Sequence, residues 1–106
     1  MQDATQGRGL LVERAKVPTP NAAKYVQQLC KHFAHKVPAR VEGDHGFADL
    51  PGGKLSMVSS NDALSIEIAA ETDEGMGKAK YILEDHLLRF AFREKLAVLT
   101  WERTSA

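Results

Sequence analysis

Apolar side chains return every second residue in some stretches of this chain and every third or fourth in others. Those changes of period mark out its elements. Leu10 to Val17 alternates loosely and stops at Pro18, which predicts a first strand. Thr19-Pro20 reads as a helix start, with Thr19 as N-cap and Pro20 in the first helical position. Ala22, Val26, Leu29, Cys30, Phe33 and Val37 then repeat at helical spacing. The basic turn His35-Lys36 suits the negative end of the helix dipole, and Pro38 stops the helix. Turn signals at residues 43–46, 51–53 and 59–62 separate four short strands, Ala39–Glu42, Phe47–Leu50, Lys54–Val58 and Ala63–Ala70. The last alternates cleanly, with Leu64, Ile66, Ile68 and Ala70 on one face. Glu71-Thr72-Asp73-Glu74 opens a second helix, with Met76, Ala79, Leu83, Leu87 and Phe90 as its apolar stripe. Leu96 to Trp101 is expected to be the last strand. Both of its faces carry apolar residues, so its inward side stays open.

The order β-α-β-β-β-β-α-β, with two amphipathic helices, predicts an α+β two-layer sandwich: an antiparallel sheet carrying both helices on one face. The arrangement resembles the TATA-binding-protein-like fold. The polar residues 1–9 read as a mobile tail ahead of a single domain over 10–106. The expected core joins Val26, Leu29, Phe33, Leu83, Leu87 and Phe90 to Leu64, Ile66 and Ile68.

With 106 residues the chain can bury one such core without staples, and its lone Cys30 excludes an internal disulfide. No apolar run is long enough to span a bilayer, and the amino terminus lacks the apolar segment of a signal peptide, so a cytoplasmic protein is expected. A formal net charge of zero and the absence of basic–aromatic interleaving argue against nucleic acid as a partner. The balance is uneven along the chain. Residues 1–40 hold seven Lys/Arg against two acids, 41–75 one against eight, and 76–106 six against four. Either the blocks map to different faces and create a strong dipole, or helices here simply carry Lys/Arg and turns Asp/Glu. The second alternative is favoured.

Chemistry-bearing motifs are few. No phosphate-binding glycine loop, zinc-protease helix or nucleophile elbow is present. Cys30 falls inside the apolar stripe of the first helix, where a thiol acts as a small hydrophobe. His32 and His35 have the spacing of a helical ligand pair, but no third ligand accompanies them, so no metal and no cofactor are expected. The helix flanks carry more. Tyr25, His32 and Lys36 cluster on one side of the first helix, and His86, Arg89 and Arg93 on the corresponding side of the second. If the helices are antiparallel and these flanks face each other, the six residues line a cationic groove for a carboxylate or phosphate. The alternative, which is favoured, is that both flanks lie over the sheet edge and pair with acids such as Glu42 or Glu94. On the outer side of the second helix, Tyr81 and Leu88, joined by Val98 or Leu99, predict a weak homodimer.

Residues 25–36 (YVQQLCKHFAHK) and 85–94 (DHLLRFAFRE), followed by Trp101, resemble the bacterial domain of unknown function 2218. In the first motif the matching residues are Tyr25, Leu29, Cys30, Lys31, His32, His35 and Lys36. In the second they are His86, Leu87, Arg89, Phe90, Phe92, Arg93 and Glu94. The resemblance implies a small bacterial protein with no assigned activity, sometimes joined to siderophore-interacting flavoproteins. The combined expectation is a non-catalytic binding or accessory module for an anionic ligand or a siderophore-related partner protein. The alternative is an enzyme or redox protein using Cys30 with His32 or His86.

Overall fold

The computed structural model of this chain describes residues 10–94 and 99–104. Strand β1 (Leu11–Pro18) leads into helix α1 (Ala22–Phe33), and a meander of β2 (Ala39–Glu42), β3 (His45–Leu50), β4 (Gly53–Ser59) and β5 (Ala63–Ala70) follows. Helix α2 (Asp73–Phe90), a single 3-10 turn (Phe92–Glu94) and the short strand β6 (Glu102–Arg103) complete the order. The strands form one antiparallel sheet in the spatial order β2-β3-β4-β5-β1-β6, so β1 closes the meander and β6 closes β1. This is the α+β sandwich that the periodicity predicts.

The turns account for the meander. Gly43 takes φ +60° in the two-residue β2–β3 connection, matching the twist of a tight hairpin. Pro51-Gly52 joins β3 to β4, with proline fixing the first central residue and Gly52 at φ +96°. Cross-strand register then aligns the alternate apolar residues. Ala15, Ile66, Met57, Gly46 and Val41 form one row facing the helices; Ile68, Leu55, Ala48 and Ala39 form most of the next. Val26, Leu29 and Phe33 of α1 and Met76, Ala79, Leu83 and Leu87 of α2 cover these rows, while Phe90 is only partly buried against them. Burying a leucine of this kind contributes roughly 1.5–3 kcal/mol before the entropic cost of ordering it.

Two glycines let the layers approach. A Cβ on Gly46 would stand 2.7 Å from Cys30 Sγ and 2.8 Å from Val26 Cγ1, so α1 rests directly on the β3 backbone. A Cβ on Gly52 would stand 2.4 Å from the Gly75 carbonyl oxygen, where the β3–β4 turn meets the first turn of α2.

Some boundaries differ from expectation. The regular part of α1 begins after Asn21, and Thr19 Oγ1 accepts from the Asn21 N–H at 3.1 Å in the turn ahead of it. The helix ends at Phe33, and His35-Lys36 form a turn because the chain must reverse into β2. Thr72 caps α2 by accepting from the Gly75 N–H at 2.9 Å. The expected strand at Leu96–Trp101 is displaced. Residues 96–98 lie outside the described residues, as do 1–9, and Leu99–Trp101 has no ladder pairing. Leu99 and Trp101 instead pack on the core, the Trp101 indole N–H donates to Glu84 at 2.6 Å, and β6 follows at Glu102–Arg103.

The pairing of β6 has a charge at its centre. Glu13 is the one acid on the helix-facing side of β1, and it accepts from Lys80 at 2.7 Å and from Arg103 at 2.6 Å. The Lys80 hydrogen bond holds its carboxyl below the usual range against the opposing effect of burial, and Arg103 adds to the lowering. Arg103 also holds Asp73, and Arg14 holds Glu67 at 2.8 Å on the far side of the sheet. These pairs join acids of the middle block to cations from both ends of the chain, which weakens the sequence segregation of charge.

Candidate functional site: the seam between the helices

The two helices run antiparallel across the sheet. Ile82 of α2 lies beside Lys36 and Val37 at the end of α1, His86 lies on His32, and Glu94 reaches the start of α1 at Tyr25 and Thr19. The flanks carrying the candidate residues therefore face each other, as the groove requires.

At one end of this seam the site is open. The His32 and His86 rings have centroids 4.6 Å apart, Phe33 meets His86 edge-on at 5.2 Å, and Phe90 meets His32 edge-on at 5.9 Å. His86 Nδ1 lies 2.7 Å from the Ile82 carbonyl oxygen. A carbonyl only accepts, so Nδ1 carries the proton, and in the neutral ring Nε2 keeps a lone pair. Beside the rings is a cleft of about 240 Å³. Its walls are Phe33, Val37, Leu50, Pro51 and Ile82, and Lys36 stands at the mouth. Among the described residues, no carboxylate pairs with His32, Lys36 or His86. Burial of part of the ring, and then the neighbouring imidazoles of His86 and His35 and the cations Lys36 and Arg89, lower the pKa of His32. The arrangement can accept a proton and a negative charge together.

At the other end the seam is closed. Tyr25 is buried, and its hydroxyl donates to Glu94 Oε2. Asn21 Nδ2 donates to the same oxygen at 2.8 Å, and Thr19 Oγ1 donates to Oε1 at 2.7 Å. Tyr25 leads the donors that hold the Glu94 carboxyl below its ordinary range, while burial raises the Tyr25 phenol.

Three of the six candidate residues thus come together: His32, Lys36 and His86. Arg89 stands at the rim, exposed and paired with Asp85 at 3.2 Å, and contributes its charge to His32. Tyr25 and Arg93 lie outside the cleft. Tyr25 is on the right face of α1 but about two turns from His32, where Glu94 takes its hydroxyl. Arg93 leaves the helix on the 3-10 turn and lies over the Phe92 ring at 5.7 Å. The apolar walls from Leu50 and Pro51 escape a reading of helix flanks, because they arrive on a hairpin turn. Cys30 is buried under α1 with Sγ 4.0 Å from the Phe47 carbonyl oxygen, and burial raises its thiol pKa. Of the histidines outside the cleft, His45 stacks on Phe47 with centroids 6.2 Å apart.

A larger hollow of about 540 Å³ lies on the opposite face of the sheet, beside Arg14, Lys16, Ser56, Ser65 and Glu67. It is broad and shallow, and its Arg14 is already answered by Glu67. Chemistry concentrates in the smaller cleft.

Residues 14–102 match the family described as an uncharacterised protein conserved in bacteria, DUF2218. The chain belongs to this DUF2218 family. Its fold is similar to that of the NMR structure of PA4090 from Pseudomonas aeruginosa, with a TM-score of 0.75 and 25% sequence identity. That likeness covers 91% of this chain and 99% of the other. No curated protein matches. Among the described residues of this DUF2218 chain, no helix is long and apolar enough to cross a membrane, and no group of three or more His, Cys, Asp and Glu is placed to hold a metal ion.

Proposed function

We propose that this DUF2218 protein is a non-catalytic binding module whose ligand is a small anion with an apolar body, held in the cleft between the helices. The observation that carries the reading is the meeting of His32 and His86 above apolar walls, with Lys36 and no paired acid at the mouth. The walls take a short hydrocarbon or an aromatic ring. The imidazoles and Lys36 take a carboxylate or phosphate through charge-assisted hydrogen bonds. Siderophore-iron handling is the physiological setting proposed for it, because anionic iron chelates and their carboxylate building blocks have this chemistry. A siderophore-related protein is the corresponding partner.

Histidine titration by NMR tests the reading with benzoate, citrate and inorganic phosphate as probes. Benzoate is expected to produce saturable shifts at His32, His86, Val37 and Ile82 and to raise the His32 pKa, because a bound anion favours the charged ring. Phosphate, lacking an apolar body, is expected to bind more weakly. Non-saturating shifts spread over the surface, with a His32 pKa indifferent to all three anions, would remove the proposal.

A further inference from the structure

The outer side of α2, away from the sheet, carries Glu74, Lys78, Tyr81, Asp85 and Leu88, spaced alternately by four and three residues. That spacing keeps them in one stripe along a helix. Tyr81 is 69% exposed, and Phe92 continues the stripe beyond the helix at 65%. A Cβ on Gly77, beside the stripe, would meet nothing within 4 Å. Leu99, expected to extend this patch, packs on the core instead, and Val98 lies outside the described residues.

We infer that this stripe is a self-association surface, and that its occupant is the α2 helix of a second copy of the chain, packed antiparallel about a two-fold axis near Tyr81. The argument is charge complementarity. An axis at the level of residues 81 and 82 brings each position opposite the one whose number completes a fixed total. Lys78 then faces Asp85 of the other copy, and Glu74 faces its Arg89. At roughly 100° per residue these four lie on one edge of the stripe, with Tyr81, Leu88 and Gly77 on the other. A two-fold axis perpendicular to antiparallel helices brings like edges together, so charges meet charges and apolar residues meet apolar ones. Asp85 already holds Arg89 of its own helix. The interface therefore carries an alternating Lys78, Asp85, Arg89, Glu74 ladder, present twice, with the two Tyr81 rings at the axis. One helix pair buries less than about 1,200 Å² in total, which places the association in the weak class. The surface meets the cleft only at Arg89 on its rim and does not rest on the reading of the cleft.

Sedimentation equilibrium from about 20 μM to 2 mM tests this, a range that spans weak association. The native chain is expected to move from monomer toward dimer across it. Lys78→Glu alone and Asp85→Lys alone each create two like-charge contacts and are expected to weaken association at least tenfold. An equimolar mixture of the two variants makes both contacts attractive again and is expected to associate within about threefold of the native chain. A native chain that stays monomeric at the highest concentration, or a mixture no tighter than the separate variants, overturns the proposal. Circular dichroism checks that each variant is folded; Lys78 is exposed and Asp85 half-buried, and neither belongs to the core.

Discussion

The two ends of the α1–α2 seam are built from the same elements and differ in one respect: whether a carboxylate meets the flank of α1. At the Tyr25 end Glu94 supplies it, and three donors converge on its two oxygens. At the His32 end none of the described residues does, and two imidazoles and Lys36 share the field of Arg89. The closed end spends its polar groups on holding the 3-10 turn to α1. The open end leaves them unspent over an apolar cleft. Complementarity within a fold reads as stability, and its local absence reads as a place for something else to bind.

The largest test of this contrast lies between the two ends. Leu87 is fully buried under α2, and Leu87→Ala is expected to cost about 2–5 kcal/mol in chemical denaturation. It should loosen both ends together, so a loss below about half a kcal/mol would mean that α2 does not anchor the seam. Gly46→Ala is expected to come next, at about 1–3 kcal/mol, because the new methyl collides with Cys30 and Val26 beneath α1. The third change addresses one end only. Glu94→Gln keeps the shape, weakens its charge-assisted hydrogen bonds, and is expected to cost about 1–3 kcal/mol at neutral pH without changing anion shifts at His32.

The same substitution has a pH signature. The folded-state pKa of Glu94 is lowered, so its contribution is complete above the unfolded value of about 4.3 and is lost as pH falls through the folded value. Native protein should therefore lose its advantage over Glu94→Gln on acidification below that point, measured as converging melting temperatures. If the gap stays constant from pH 7 to pH 3, the carboxylate is not the latch. The smallest effect belongs to the open end. The His32 pKa is also lowered, so the unfolded chain takes up the proton first as pH falls below about 6.5. Native protein should lose a little stability there relative to His32→Gln, and a saturating anion should remove that loss. An equal pH dependence in the two proteins would show that the His32 environment is ordinary solvent.

Much of this contrast is legible in the sequence, up to the point where distance along a helix matters. Strands β2 to β5 follow from turn residues and alternation because each pairs with its neighbour; His45-Gly46, Gly53 and Ser59 moved from turn to strand. Gly46 joins the ladder because α1 packs on its backbone, a contact no local pattern reveals. Helix angles place Tyr25 and His32 on the flank of α1 that meets α2, and Lys36 reaches the same seam from the turn after the helix. They say nothing of level, and level separates a buried tyrosine on Glu94 from a histidine beside His86. Glu94 is legible as an acid that could pair with the helix flanks, but not which of their residues it takes. The region from Leu99 to Arg103 defeats a period-based reading for another reason: Trp101 answers a side chain on α2, and Arg103 answers an acid on β1.

The bridge from Glu13 to Lys80 and Arg103 also bears on the order in which the chain assembles. Its partners are 67 and 90 residues away along the chain, whereas the hairpins of the meander close over two to a few residues. Loop closure costs more free energy as the loop lengthens, and contacts of long sequence separation slow folding. Of the described strands β1 is synthesised ahead of the others, and it is therefore the one that must wait. β1 has no sheet partner until β5 is complete, and the charge on Glu13 has no counterion until α2 and then β6 have been made. The meander is therefore expected to form ahead of β1, whose Glu13, charged and without its partners until then, disfavours early burial of the strand.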